Sequence, residues 1–332
     1  MTKQKIAFIG TGGTISSLGA GPLDLHDYSM QNARMEADAI LDKFPDVQAV
    51  ANVFPVRYRA IPSTEINFSD WKALVLLCDK LVAEHPDLAG IVIGHGTATI
   101  EETAYFLSLT LKINIPVVVT GSQRPASALS TDAGLNLVNA VHVAASPEAR
   151  NMGVLVVLND EIHAARDVMK TSTHRMQTFR SADFGALGHA DGDAVVFYRR
   201  PTRRFYPDTE FDIRAVEELP RVDIALTYAG MDDTVVRALI AAGARGIISA
   251  GFAPGFPTPI EATALGEAVR QGIVVAQSTR AGSGRVFHSA RLRAENILVA
   301  DNLLPQKARL LLALALTGTS DRTDIARIFN TY

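Results

Sequence analysis

The sequence feature that most constrains the fold is a glycine-threonine turn that occurs twice, each time directly after a short apolar run. Residues 6–9 lead into Gly-Thr-Gly-Gly-Thr at 10–14, and residues 91–93 lead into Gly-His-Gly-Thr at 94–97. Both runs are short, contain β-branched isoleucines and end at a glycine, as is typical of buried parallel strands. Each turn would therefore place a hydroxyl at the carboxyl end of a strand, where ligands bind in open α/β sheets.

Strand-like and helical patterns alternate along the chain, which predicts an α/β fold. Further strands are predicted at 115–120 and 154–158, with helices at 100–111 and 133–145. We therefore predict a large N-terminal domain over residues 1–198, with a mainly parallel sheet and helices on both of its faces.

A second domain follows a change of composition. Residues 199–219 are polar, charged and proline-bearing, which indicates an interdomain linker. The alternation then restarts and predicts a smaller C-terminal α/β domain over residues 220–332. Its predicted strands are 222–227, 246–250 and 273–276, and its predicted helices lie near 232–242, 260–270, 305–316 and 321–330.

Composition narrows the class of protein. The chain has 332 residues, enough for two domains, and 48% hydrophobic and 20% charged residues are usual for a soluble globular protein. A net charge of −3 gives no electrostatic reason to expect a nucleic acid or an anionic membrane as partner. No apolar run approaches the roughly 18 residues of a membrane span.

The single cysteine and the first residues bear on location. One Cys78 excludes an internal disulfide, and its place in an apolar helical stretch predicts a buried structural thiol. The first apolar run ends at Gly10, which makes it shorter than the roughly 7–15 residues of a signal-peptide core. These features predict a cytoplasmic protein.

The two turns favour chemistry over nucleotide binding. A dinucleotide fingerprint would need glycine where Ile15 stands, and the lysine of a P-loop is missing. Thr97 is expected where a helix begins, so nearby N–H groups could bind a developing oxyanion. Glu101 and Glu102 are expected to stabilise that helix start, with acid-base catalysis as the alternative. His95 is interpreted as a packed turn residue, with a catalytic base as the alternative.

Five motifs in order resemble the bacterial-type asparaginase family over nearly the whole chain. They are residues 11–15, 94–107, 119–125 with 132–137, 158–160 with 166–171, and 304–309. The resemblance implies a two-domain asparaginase-like fold and a homotetramer built from intimate dimers. It also implies a hydrolase that acts on a small-molecule amide through a threonine nucleophile and an acyl-enzyme, with no cofactor and no metal.

The resemblance also implies roles for individual residues. Thr14 would be the nucleophile on a mobile lid with Tyr28 as its partner, and Thr97 and Lys170 would form a second polar pair. Ser63 would hold a substrate carboxylate, and the backbone of Ser122 would lie near the leaving amide. The complete set of implied substrate-binding residues is Gly13, Ser63, Thr64, Gly96, Ala98 and Ser122.

These roles have physical requirements. A threonine hydroxyl is a weak nucleophile without a base or proton relay. Lys170 could be that base only if its pKa is depressed, because a free ammonium is protonated at pH 7. Backbone N–H groups near Gly13 and Ala98 would stabilise the oxyanion. The small residues of 16–22 are typical of a closing lid, with an ungated surface loop as the alternative.

The departures from the family pattern concern one subsite. Asparaginases place an aspartate beside the second threonine, where this chain has Ala98, and the lost contact to a substrate ammonium is worth roughly 1.5–3 kcal/mol. Residues 251–257 contain no amide side chain, and residues 285–293 contain no carboxylate. Thr64 stands where glutamine is frequent. Instead, Arg291, Arg293 or His288 could favour an anion.

We therefore hypothesise an amidohydrolase for a substrate without an α-ammonium group, such as a dicarboxylic acid monoamide, an N-substituted amide, or a cyclic amide or lactone. The main alternative is an L-asparaginase that releases aspartate and ammonia. A further alternative is a non-catalytic binding protein on an asparaginase scaffold. A metalloenzyme is disfavoured, because the eight histidines show no recognisable ligand spacing.

Overall fold

The chain divides into two compact units. In the computed structural model, which describes residues 3–28 and 33–332, the division falls between Thr209 and Glu210. This point lies inside the segment 199–219 that the composition predicts as a linker. Among the described residues, no helix is long and apolar enough to cross a membrane.

The N-terminal unit is built on an eight-stranded sheet with the order β10-β9-β6-β5-β4-β3-β1-β2. Strands β2, β1, β3, β4 and β5 are parallel, and β5, β6, β9 and β10 pair antiparallel. A separate two-stranded ribbon joins β7 and β8. The strands are β1 (Lys5–Gly12), β2 (Asn52–Ile61), β3 (Leu88–Gly94), β4 (Val117–Thr120), β5 (Leu155–Leu158), β6 (Glu161–Ala164), β7 (Met169–Lys170), β8 (Phe179–Arg180), β9 (Gly188–Ala190) and β10 (Val195–Phe197).

Helices cover both faces of this sheet, as predicted. Alternate strand residues such as Ile6, Phe8 and Val92 pack in one cluster with the first, second and fifth helices. The third and fourth helices contact strands β3 to β5 and stack on each other through Trp71 and Phe106. The helices are α1 (Ala37–Lys43), α2 (Val47–Val50), α3 (Phe68–Glu84), α4 (Ile100–Thr110) and α5 (Ala133–Ala145).

The strand order places the two turns beside each other. The chain runs from β1 to β2 on one side of β1 and returns to β3 on the other side. Such a reversal opens a crevice at the carboxyl ends of the two central strands, which is where ligands bind in doubly wound sheets. Here those strands are β1 and β3, the two strands that lead into the glycine-threonine turns.

The C-terminal unit repeats the α/β design at a smaller size. Its four-stranded sheet is entirely parallel, with the order β11-β12-β13-β14. The strands are β11 (Val222–Leu226), β12 (Gly246–Gly251), β13 (Val274–Thr279) and β14 (Leu298–Val299). The helices are α6 (Thr234–Ala241), α7 (Pro259–Arg270), α8 (Ala290–Ala294), α9 (Pro305–Gly318) and α10 (Arg322–Thr331). The predicted fold of two α/β units, the second smaller, is confirmed.

Candidate active site

The two glycine-threonine turns touch each other. Gly10 and Gly94 are paired across the neighbouring strands β1 and β3. Gly13 follows with a φ of 79°, and a Cβ atom on it would lie only 2.1 Å from the Cα atom of Gly96. No side chain fits between the two backbones at this point, so glycine is required and the threonines of both turns are brought to one place.

Thr14 and Tyr28 form the first hydroxyl pair. The Oγ1 atom of Thr14 lies 3.1 Å from the hydroxyl oxygen of Tyr28, and both residues are partly exposed. The hydroxyl groups of Ser16 and Ser17 donate to the carbonyl of Gly13 at 2.8 and 2.9 Å, which fixes the backbone directly before Thr14. A half-buried hydroxyl on a fixed backbone can reach both a relay partner and a bound small molecule.

The segment predicted as a lid, 16–22, is bound to a neighbouring loop. The N–H of Gly19 donates to the hydroxyl of Ser127 at 2.8 Å, and the N–H of Leu129 donates to the carbonyl of Pro22 at 2.8 Å. These contacts hold the segment against residues 126–129 while Thr14 and Tyr28 are in contact. Residues 29–32, between the lid and α1, lie outside the described residues.

Thr97 and Lys170 form the second polar pair. The ammonium nitrogen of Lys170 donates to Thr97 Oγ1 at 2.7 Å, and Thr97 is buried. Burial lowers the pKa of Lys170, and the nearby carboxylate of Glu101 opposes this effect. Burial thus shifts the pKa of Lys170 in the direction that a base in this position requires. One detail differs from the prediction, because α4 begins at Ile100, beyond Thr97.

Glu101 also contacts this pair, in addition to the helix-start role that its place in the sequence predicts. It lies in the first turn of α4, where an acidic side chain is favourable, but it is buried and also accepts the backbone N–H of Lys170 at 2.8 Å. The two residues are 69 positions apart and the donor is a backbone group. No sequence pattern could have indicated this contact.

The implied substrate-binding residues are close to the two turns. Ser63 packs on Gly96, since a Cβ atom on that glycine would lie 2.5 Å from Ser63 Oγ. The carbonyl of Ser63 accepts the hydroxyl of Thr99, and no partner of its own hydroxyl is found in the described part of the chain. Thr64 and Ala98 are both exposed beside these residues and carry no charge. Ser63 is thus an available hydroxyl beside the second turn.

The side chain of Ser122 is engaged within its own loop. Its hydroxyl donates to the carbonyl of Arg124 at 2.7 Å, and the residue is buried. The preceding Gly121 lies against Thr97, because a Cβ atom there would lie 3.2 Å from the threonine methyl group. Ser122 therefore directly follows, in sequence, a residue that lies against Thr97 of the Thr97–Lys170 pair.

His95 is a structural residue of the second turn. It is 1% exposed, and its two ring nitrogens contact the carbonyl of Gly96 at 2.8 Å and the hydroxyl of Thr103 at 3.0 Å. Burial lowers its pKa to about 4, so the ring is neutral at pH 7. With both nitrogens engaged, His95 cannot take a proton from either threonine.

Basic side chains near α8 have partners within the C-terminal unit. Arg291 forms an ion pair with Glu295 at 2.9 Å, and Arg293 donates to the carbonyl of His288. The Nε2 atom of His288 lies 3.1 Å from the carbonyl oxygen of Ile297. The expectation that one of these residues favours an anionic substrate stays a prediction.

Metal ligands are not clustered in the described ranges. No group of three or more histidine, cysteine, aspartate or glutamate side chains is placed to hold a metal ion among residues 3–28 and 33–332. Cys78 is fully buried and burial raises the pKa of its thiol to about 12, which confirms the predicted structural thiol. The groups that the described residues bring to the candidate site are hydroxyl, ammonium, carboxylate and backbone groups.

Comparison with known proteins gives matches over both units. Residues 5–203 match the family model "Asparaginase, N-terminal", and residues 221–329 match "Glutaminase/Asparaginase C-terminal domain". The L-asparaginase 2 of Bacillus subtilis (strain 168) is 39% identical over 98% of this chain and 86% of its own. The glutaminase-asparaginase of Pseudomonas fluorescens biotype A is 40% identical over 100% of this chain and 92% of its own.

A solved structure shows the same fold. The crystal structure of a probable cytoplasmic L-asparaginase from Campylobacter jejuni superposes with a TM-score of 0.94 at 36% sequence identity. The match covers 99% of this chain and 100% of that chain. The similarity therefore extends over both units and includes the two threonine turns.

Proposed function

The chain belongs to the asparaginase family of amidohydrolases, and from this premise we propose that it hydrolyses, with Thr14 as nucleophile, an amide that lacks the α-ammonium group of asparagine. The observation that carries the proposal is the contact between Gly13 and Gly96. In this contact the turn that leads into Thr14 lies against the turn that leads into Thr97. Two neighbouring hydroxyls, each with a polar partner, support a role in acyl transfer.

The proposed reaction has two halves. Thr14 Oγ1 attacks the amide carbonyl carbon while its proton passes to the relay, and backbone N–H groups near Gly13 and Ala98 stabilise the oxyanion. The C–N bond then breaks, and the amide nitrogen takes a proton and leaves as ammonia or an amine. Water attacks the resulting ester, releases the carboxylate and returns the proton to Thr14.

The nucleophile is tested by replacing it. Thr14→Ala should lower kcat for any amide substrate by at least about 10³-fold, because the covalent step has no other route. Thr14→Ser keeps the hydroxyl and serves as the matched control, with measurable turnover. Ammonia release and the thermal unfolding midpoint are measured for each variant. Retained activity in Thr14→Ala would remove Thr14 from the mechanism and direct attention to Thr97.

The substrate proposal is supported by uncharged side chains in one region. Ala98 and Thr64 are exposed beside Thr97 and Ser63, and neither has a carboxylate that could form an ion pair with an ammonium group. A substrate with a carboxylate for Ser63 and no ammonium, such as a dicarboxylic acid monoamide, matches these groups. N-substituted amides and cyclic amides or lactones are the other members of the class.

An L-asparaginase is the second candidate function. It is favoured by the names of relatives that are 39% and 40% identical over nearly the full chain. A non-catalytic binding protein is disfavoured, because both polar pairs are intact. The homotetramer, the absence of a cofactor and the cytoplasmic location stay predictions.

A further inference from the structure

Lys170 lies in a short strand that few hydrogen bonds within its own ribbon can stabilise. Strand β7 consists of Met169 and Lys170, which pair with Arg180 and Phe179 of β8. A two-stranded ribbon of this length is marginally stable in water. The position of the Lys170 ammonium therefore depends on contacts from outside the ribbon.

Those contacts come from one element, the connection from β3 into α4. Thr97 Oγ1 accepts the ammonium of Lys170 at 2.7 Å, and Glu101 Oε2 accepts its backbone N–H at 2.8 Å. Both acceptors are buried, with 6% and 8% exposure. Lys170 is thus held at both its backbone and its side-chain end by residues four positions apart on the same element.

Glu101 is also the source of negative charge at this pair. Ala98, next to Thr97, has no carboxylate, and in the part of the chain that the structure describes the Coulomb interaction on Lys170 comes from Glu101. Across the ribbon Lys170 is opposed by the uncharged Phe179, and Arg180 stands opposite Met169. Burial lowers the pKa of Lys170 and Glu101 limits the fall.

We propose that Glu101 is the positioning residue of the Thr97–Lys170 pair: it fixes the lysine backbone so that the ammonium reaches Thr97, and it supplies the negative charge that Ala98 does not. The inference rests on the proposed function in assigning Lys170 to proton transfer. Its geometric part concerns the folded protein alone and can be tested without a substrate.

Three variants separate charge from geometry. Glu101→Gln keeps an oxygen acceptor for the Lys170 N–H and removes the charge, whereas Glu101→Ala removes both. Glu102→Gln is the matched control, one residue along the same helix turn. Each variant is characterised by kcat and KM across pH, and by substrate-free titration of Lys170 through competitive amine labelling and peptide mass spectrometry.

The expected results differ for each variant. Without the carboxylate charge Lys170 loses its proton more readily, so in Glu101→Gln both the labelling midpoint and the acid limb of kcat move to lower pH, with KM nearly unchanged. In Glu101→Ala kcat also falls about 10–100-fold, because a charge-assisted contact is lost. Glu102→Gln should follow the wild type in all three measurements.

The labelling experiment tests the positioning role of Glu101 separately from the proposed amide hydrolysis. An unchanged Lys170 midpoint in Glu101→Gln overturns the inference, whatever the activity of the enzyme. A shifted midpoint in a protein that hydrolyses no amide sustains the positioning role and removes the proposed function. If Glu101→Ala does not fold, Glu101→Gln alone decides the question.

Discussion

At the scale of the residue, Ala98 is the position from which the proposed substrate is mainly inferred. It is exposed, it follows Thr97 directly, and its side chain has no charge and no hydrogen-bonding group. A carboxylate at this position could pair with a substrate ammonium, whereas a methyl group leaves that ammonium to water. We therefore expect the side chain at position 98 to influence whether asparagine or an amide without the ammonium is the better substrate.

Ala98→Asp should improve recognition of the substrate ammonium group. The new carboxylate would pair with the ammonium of L-asparagine, so the ratio of kcat/KM for L-asparagine to that for succinamate should rise about 10–100-fold. Because residue 98 is exposed, the substitution should leave the thermal unfolding midpoint nearly unchanged. Ammonia release from both amides gives the ratio.

Ala98→Asn is the control for this change. Asparagine has nearly the size of aspartate without its charge, so its effect on the ratio should be much smaller. An equal effect of the two substitutions would show that size rather than charge governs the subsite. If neither substitution changes the ratio, position 98 does not govern recognition of the substrate ammonium.

At the scale of the element, the site is a contact between two strand ends. Strands β1 and β3 are parallel neighbours at the reversal of the sheet order, and their glycine turns meet at Gly13 and Gly96. Gly13 is needed twice over, for its φ of 79° and for the absence of a side chain. The catalytic geometry is therefore a property of how the two elements meet.

Gly13→Ala should separate the two turns. Its methyl group would lie 2.1 Å from Gly96 Cα. Because the clashing atom belongs to the backbone, no side-chain rotation can relieve the clash and the backbone must shift. We expect a loss of at least about 100-fold in kcat/KM, since misplacement of a catalytic group by about 1 Å has an effect of this size. Steady-state kinetics and the unfolding midpoint check this expectation.

Gly192→Ala is the matched control for the glycine substitution. No atom lies within 4 Å of the Cβ position at Gly192, and its φ is not in the left-handed region. The control should therefore keep both activity and stability. Full activity in Gly13→Ala would contradict the proposal that the contact between the turns organises the site.

Some elements could be predicted from the sequence and others could not. The buried strands β1, β3, β4 and β5 are continuous apolar runs, which single them out in the sequence. Strand β2 escaped prediction because it is an edge strand with Pro55 and alternating partly exposed residues. The ribbon β7–β8 is too short to leave a periodic pattern.

The candidate site shows the same division. Thr14 with Tyr28 and Thr97 with Lys170 were paired on the basis of family resemblance, and the structure places each pair within hydrogen-bonding distance. The contact from Glu101 to the Lys170 backbone was missed. The acceptor of this hydrogen bond is the carboxylate of a glutamate at a helix start, and the donor is the backbone N–H of Lys170. Neither group can be recognised as functional from the sequence.

At the scale of the whole molecule, two α/β units match the two family models. The models cover residues 5–203 and 221–329, and the compact units divide between Thr209 and Glu210, in the interval between the matches. Both polar pairs and Ser63 belong to the N-terminal unit. The segments 251–257 and 285–293, which differ from the family pattern, belong to the C-terminal unit.

We propose that this asparaginase-family enzyme prefers an amide without an α-ammonium group. The most direct test measures kcat/KM of the wild-type enzyme for succinamate and for L-asparagine under one condition, by ammonia release. Because asparagine finds no ammonium partner at Ala98, we predict that succinamate is preferred by at least about tenfold. Efficient turnover of L-asparagine at micromolar concentration, at or above the rate for succinamate, would contradict the account.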